Sequence, residues 1–375
     1  MSWPAYPEGY MYPNEFFEPI VWKPIMTAYT TMIAIASGLA ILMGLTLILN
    51  YKPLLRYLPL MGILGIASTL VLLLGPLADL RRPDQAFQIF ISPHIMPSNT
   101  YPGISFIAIV AYMWPITIIV FTLVTLLVIS ADLLAKGGYY RILALGLKSE
   151  AEYPSYYRIA RILAVILLIL GLAWAFYYPG LLFTAESKLM LYNITPLLPL
   201  TYTLGALIAS IFILSIASIL TRIHLDNIMV KIIIVSALSI IFIKLIELLR
   251  VSFILSNIPV IDSLMRVMGG IIILTVILLI LTVILGLYSL RDIRILPLAS
   301  FIGFVAVILD RWVYSISVQQ VSKTGIAIFS VHIDFVEALP ISSLILLFLG
   351  LAVILSVILP TRSVILEKVL GGEKL

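Results

Sequence analysis

Nine apolar runs, each long enough to cross a bilayer, alternate with short polar or proline-marked breaks along this chain. Their limits read 25–50, 55–79, 103–131, 159–182, 196–221, 229–253, 265–290, 295–318 and 339–360. A helix needs about 20 apolar residues to cross the hydrocarbon core. The runs are rich in Leu, Ile and Val and show no alternation of period two, so they predict helices rather than barrel strands. Lys52-Pro53, Arg81-Arg82-Pro83, Lys136-Gly137-Gly138, Asn257-Ile258-Pro259 and the stretches Asn193–Pro196, Arg222–Asn227 and Arg291–Arg294 mark the breaks. The pattern predicts an all-α polytopic membrane protein of about nine transmembrane helices.

Composition agrees with this reading. Of 375 residues, 62% are hydrophobic and 11% charged, against about 25% charged in a soluble domain. Mean hydropathy is +1.17. The chain has no cysteine, which excludes disulfides, thiol nucleophiles, cysteine-ligated zinc and iron–sulfur clusters within it. Its three histidines, His94, His224 and His332, fall at or near run ends. The paired histidines that hold haem inside a membrane cytochrome are therefore not in evidence. No haem and no metal site are expected. The first two dozen residues carry Trp3, Glu8, Glu15, Glu18 and several prolines and lack the basic start of a secretory signal; they read as an external segment, 1–24.

The net charge of +5 reads as topology rather than affinity for nucleic acid. Loops on one side hold Lys52, Arg56, Lys136, Arg141, Lys148, Arg158, Arg161, Arg222, Lys231, Arg291, Arg294, Arg362, Lys368 and Lys374, most of the 23 basic residues. By the positive-inside rule that side is cytoplasmic. The reading is a multi-pass protein of the cell membrane, N-terminus outside and C-terminus inside. Arg81-Arg82 violate the rule in the first external loop, which calls for a reason such as pairing with Asp79 and Asp84 or a docking partner.

Ionisable groups inside a span are expensive and are functional candidates by default. The sixth run carries Lys244, Glu247 and Arg250 at i, i+3 and i+6, on one broad face. The eighth carries Asp310-Arg311, adjacent residues that point in different directions and so need partners on other helices. With Asp79 and Arg266 these groups lie toward the outer half. They read either as ion pairs that hold helices in register or as a proton-conducting network. The first external loop, Gly75–Gly103, mixes Asp79, Arg81, an amphipathic run, His94 and Ser98-Asn99-Thr100. Its His94, Asn99 and Tyr101 offer donors and acceptors to a polar head group at the membrane edge; the alternative is an interfacial hairpin with aromatic anchors.

These residues resemble the NrfD/polysulfide-reductase membrane-subunit family. Trp22, Tyr29 and Ser37-Gly38 are similar to that family's tryptophan–tyrosine–glycine opening. Asp79-Leu80-Arg81-Arg82-Pro83 resembles its Asp-Leu-Gly-Arg-Pro pattern, and the Ser98–Gly103 segment its Ser-Pro-Met-x-x-Gly lead into the third helix. Gly303 to Trp312 and Glu337 with Pro340 resemble later helices of the longer members. Arg81 stands where the pattern has glycine, and Asn99-Thr100 where it has Pro-Met.

The resemblance implies a four-helix bundle over 25–182 on the quinone-site side, and a second bundle with a final helix and a short cytoplasmic tail over 183–375. It implies a quinone-interacting part of a respiratory oxidoreductase, exchanging electrons between membrane quinone or menaquinone and an iron–sulfur partner, usually beside a molybdopterin catalytic subunit. Trp22, Tyr29, Asp79, Arg81, His94 and Asn99 are then the expected quinone contacts. Glu247 and Asp310, with Lys244, Arg250 and Arg311, are the expected proton-transfer network. A secondary transporter and an inert membrane anchor are the competing readings.

Overall fold

The computed structural model describes residues 23–79, 106–185, 197–254, 258–322, 328–331, 333 and 335–370. Trp22, Arg81, His94 and Asn99 lie outside these residues. Among the described residues nine helices are long and apolar enough to span a membrane, and the sole extended pairing is an isolated bridge, Val321 to Ile328. The protein is an all-α, multi-pass membrane protein. The helices are α1 (Ile25–Ile48), α2 (Leu58–Leu72, extended after a turn by Leu74–Asp79), α3 (Phe106–Val128), α4 (Tyr153–Ala185) and α5 (Leu197–Leu220). They continue with α6 (Asn227–Ile254), α7 (Pro259–Ser289), α8 (Leu296–Ser315) and α9 (Phe335–Ile358).

Several boundaries differ from those read off the sequence. The run 55–79 begins at Leu58, because Lys52–Leu55 is a separate turn of helix and Pro59 starts the next one. Helix α4 begins six residues earlier than 159, with Pro154 in its first turn and Arg158 and Arg161 already helical. Helix α7 starts at Pro259, and its first turns hold the exposed pair Asp262–Arg266 at 2.7 Å. Charged first turns hide a helix start from an apolar count.

Helices α1, α2, α3 and α4 pack in a ring, and α5, α6, α7 and α8 pack in a second. Helix α1 joins the rings: it packs on α2, α4, α5 and α8. Its most apolar window is 89% buried, whereas that of α9, which leans on α2 and α1, is 17% buried. Close approach at the joint depends on Gly38, where an added methyl would collide with Ser210 and the backbone of Ala206 on α5.

Buried hydroxyls are satisfied locally. Thr31, Thr46, Ser68, Thr125 and Ser218 each donate to the carbonyl four residues back. The helix ends at the basic side are closed by arginines. Arg161 donates to Leu47 O and Ile48 O (3.1 and 2.9 Å), and Arg362 to Thr221 O (2.7 Å) and Arg222 O. These carbonyls have no partner within their own helices.

Candidate functional site: a buried charge cluster and an apolar groove

Helices α6 and α8 face each other in the second ring and bring four charged side chains out of contact with lipid. Lys244 and Glu247 are fully buried, Arg311 is 3% exposed and Asp310 is 8% exposed. The Lys244 ammonium lies 2.6 Å from Asp310 Oδ1 and 3.6 Å from Glu247 Oε2. It also donates to the Tyr314 hydroxyl, which in turn donates to Glu247 Oε2 at 3.3 Å. One cation thus bridges two carboxylates on two helices, with a tyrosine hydroxyl closing the ring. Among the described residues, Glu247 Oε1 is buried without a hydrogen-bond partner. Such an atom is costly in an apolar interior, so Glu247 is held less completely than Asp310.

Arg311, one residue on, points to α5. Its guanidinium carbon stacks 3.3 Å from the centroid of the Tyr202 ring and one Nη donates to Tyr202 O at 3.3 Å. The Tyr202 and Tyr314 rings lie 6.2 Å apart, so the aromatic pair connects the arginine to the lysine cluster. Beside them a void of about 10 Å³ is lined by Asp310, Arg311, Thr201, Thr275 and Gly205, the scale of one water. Arg250 lies half-buried one turn beyond Glu247 on α6. Arg266 pairs locally with Asp262 in the exposed first turns of α7. The sequence therefore supplied the ionised members; it missed Tyr202 and Tyr314. The spacing of Tyr314 from Asp310, i to i+4, was the available signal.

Helix α8 has a second face. Phe304, Ile308 and Trp312, spaced by four, look away from the cluster onto a groove of about 750 Å³ between α1, α5, α8 and α9. Its walls are apolar, with Thr27 and Thr31 of α1 and Ser356 of α9 as polar points. Along α9 the lining runs from Ile341 to Val357, about 24 Å at 1.5 Å per residue, or most of the hydrocarbon thickness. One end opens at Pro24, Thr27 and Trp312. There Thr27 and Ser315 share a hydrogen bond at 3.1 Å, and Ser315 also donates to Arg311 O at 2.7 Å. The hydroxyl pair links the groove's wall to the backbone of the cluster helix.

At the same end of α1, buried Tyr29 packs on Gly75 so closely that no Cβ would fit there. Asp79 follows Gly75 by one turn and ends the described part of α2. Tyr29 and the backbone of Asp79 thus come to one corner, while the remaining expected quinone contacts lie outside the described residues.

Fold and cluster together define a class: polytopic α-helical membrane proteins with a buried inter-helical ion-pair network beside a membrane-deep apolar groove. No family profile matches the chain. It is 35% identical over 188 residues to a membrane-complex component of Archaeoglobus fulgidus, the third-lettered (C) chain of tetrathionate reductase. The match covers 50% of this chain and 51% of that protein, so the chain spans about half the length of the curated relative it matches. The similarity is consistent with the resemblance carried by the sequence motifs.

Proposed function

We propose that this chain is a membrane subunit of a reductase complex, of the NrfD/polysulfide-reductase type, exchanging electrons between a membrane quinone and an iron–sulfur partner subunit. The observation that carries this reading is the groove opening at the end of α1 next to the Tyr29–Asp79 corner. A quinone site needs an apolar slot for ring and isoprenoid tail and a few polar groups at one end. The groove fits that need in length and lining. Tyr29 and Asp79, with Trp22, Arg81, His94 and Asn99 in the adjoining segments, are the candidate polar and aromatic groups at its outer end.

A bound quinone, or menaquinone, supplies two-electron, two-proton chemistry. The chain's residues bind and orient it and handle protons. Glu247, with one carboxylate oxygen outside the hydrogen-bond ring, is the group best placed to take and give a proton. Lys244 and Asp310 hold it in register, and Arg311, Arg250 and Tyr314 set the surrounding charge. Because the chain has no cysteine, a cysteine-ligated cluster belongs to a partner, as does a molybdopterin centre. The Archaeoglobus relative is named as one subunit of a tetrathionate reductase, which supports assembly with such partners. The basic loops are proposed to be cytoplasmic.

The test is titration of the purified chain with a menaquinone analogue. Saturable binding is expected, and Ala352→Phe, which projects a ring into the groove from α9, is expected to weaken it about tenfold or more. Absence of saturable binding to the folded wild-type chain, or wild-type affinity in the variant, overturns the reading. Co-purification with iron–sulfur and molybdenum proteins checks the partners.

A further inference from the structure

A second recess lies at the basic end of the molecule, where α4 passes the end of α1, and neither the groove nor the cluster uses it. Its volume is about 520 Å³ and its lining is Ile48, Arg158, Arg161, Ile162, Val165 and Ile166. On α4 these positions follow the helical spacing i, i+3, i+4, i+7 and i+8, a single stripe. The stripe changes character within two turns. Its first members are two arginines; the rest are aliphatic and turned outward, with Ile162 62% and Val165 45% exposed. In a membrane-spanning helix those side chains meet hydrocarbon, and the arginines lie at headgroup level.

The two guanidinium groups differ in a useful way. Arg161 is pinned by its bonds to Leu47 O and Ile48 O at the end of α1. Those carbonyls satisfy it with dipoles rather than with a full negative charge, so its own charge is not neutralised. Arg158 takes part in none of the ion pairs among the described residues, which fall at Lys244 with Glu247 and Asp310, and at Asp262 with Arg266. Two uncompensated guanidinium groups, one held rigidly, therefore border a recess whose floor is apolar and continues down the helix. A carboxylate on a soluble partner would match the charge and leave the floor unused. A phosphodiester with an attached hydrocarbon chain matches both, and arginine's fork of N–H donors suits phosphate oxygens.

We propose that this recess is a binding site for an anionic phospholipid, its phosphate between Arg158 and Arg161 and one chain along Ile162, Val165 and Ile166. The site fastens the junction of α1 and α4 to its own annular lipid. It does not depend on the quinone reading: menaquinone carries no phosphate, so either proposal fails alone.

The experiment uses the full chain in detergent and reads lipid retention by native mass spectrometry after exchange into equal amounts of phosphatidylglycerol and phosphatidylcholine of the same chain length. The wild type is expected to retain phosphatidylglycerol preferentially, one molecule per chain. Arg158→Gln leaves the Arg161 bonds to α1 in place, so folding is not at stake. It is expected to lower that preference about fivefold, the factor belonging to one basic residue at an anionic surface. Ile166→Asp, aimed at the floor, is expected to lower retention while Arg158 and Arg161 remain. Equal retention of the two lipids by the wild type, or an unchanged preference in Arg158→Gln, overturns the proposal. Displacement of the retained lipid by millimolar inorganic phosphate also overturns it, since that would reveal a simple anion site without a role for the chain.

Discussion

Lys244 joins two carboxylates that lie on different helices, and this position makes it the residue on which the second ring depends most. Breaking a buried pair by removing one partner leaves an uncompensated charge and costs about 3–5 kcal/mol. Asp310→Asn removes the 2.6 Å contact and is expected to lower the thermal midpoint of the detergent-solubilised chain by several degrees. Lys244→Met combined with Asp310→Asn and Glu247→Gln, which removes the charges together, should recover much of that loss. Tyr314→Phe deletes the hydroxyl between the lysine and Glu247 and is expected to cost about 1–3 kcal/mol in the same measurement. Glu247→Gln keeps the shape of the side chain. In the reconstituted complex it is expected to slow proton release along with turnover; unchanged values for both would remove Glu247 from the pathway.

Helix packing is governed by where the small residues sit. Gly38 meets Ser210 and Ala206 of α5, while Gly270 of α7 has nothing within reach of an added methyl. Gly38→Ala is therefore expected to force α1 from α5 and destabilise the chain by about 1–3 kcal/mol. Gly270→Ala should be neutral or stabilise by about 0.5–1 kcal/mol through helix propensity. Thermal unfolding of the pair, side by side, separates close approach from propensity. At this scale the sequence showed all nine helices but blurred their starts. Arg158 and Arg161 in α4 and Asp262 and Arg266 in α7 sit inside helical turns that an apolar count excludes, because the ends of membrane helices reach past the hydrocarbon into polar headgroups.

For the whole molecule, the basic residues collect at one end and the mouth of the groove opens at the other. The chain's lack of cysteine makes orientation directly measurable. Single cysteines at Tyr139, 69% exposed near the basic end, and at Ser330, in the segment after α8, report opposite sides. A membrane-impermeant maleimide applied to intact cells is expected to label Ser330→Cys and spare Tyr139→Cys. The reverse result inverts the proposed topology and moves the groove's mouth to the cytoplasmic face.

Hydrophobic periodicity and charge content alone were enough to determine that this is a many-helix membrane protein and that Lys244, Glu247, Asp310 and Arg311 are out of place in lipid. Those conclusions rest on the cost of exposing backbone and charge to hydrocarbon, which each segment incurs by itself. Partner choice is different. That Asp310 turns to α6 and Arg311 to Tyr202 of α5, that Tyr314 completes the ring, and that α9 stands off far enough to leave a groove all depend on how helices distant in sequence lie against one another. Only the tertiary packing decides such distances, because in a uniformly apolar chain every helix has many equally greasy neighbours, and small residues such as Gly38 and buried pairs such as Lys244–Asp310 select among them.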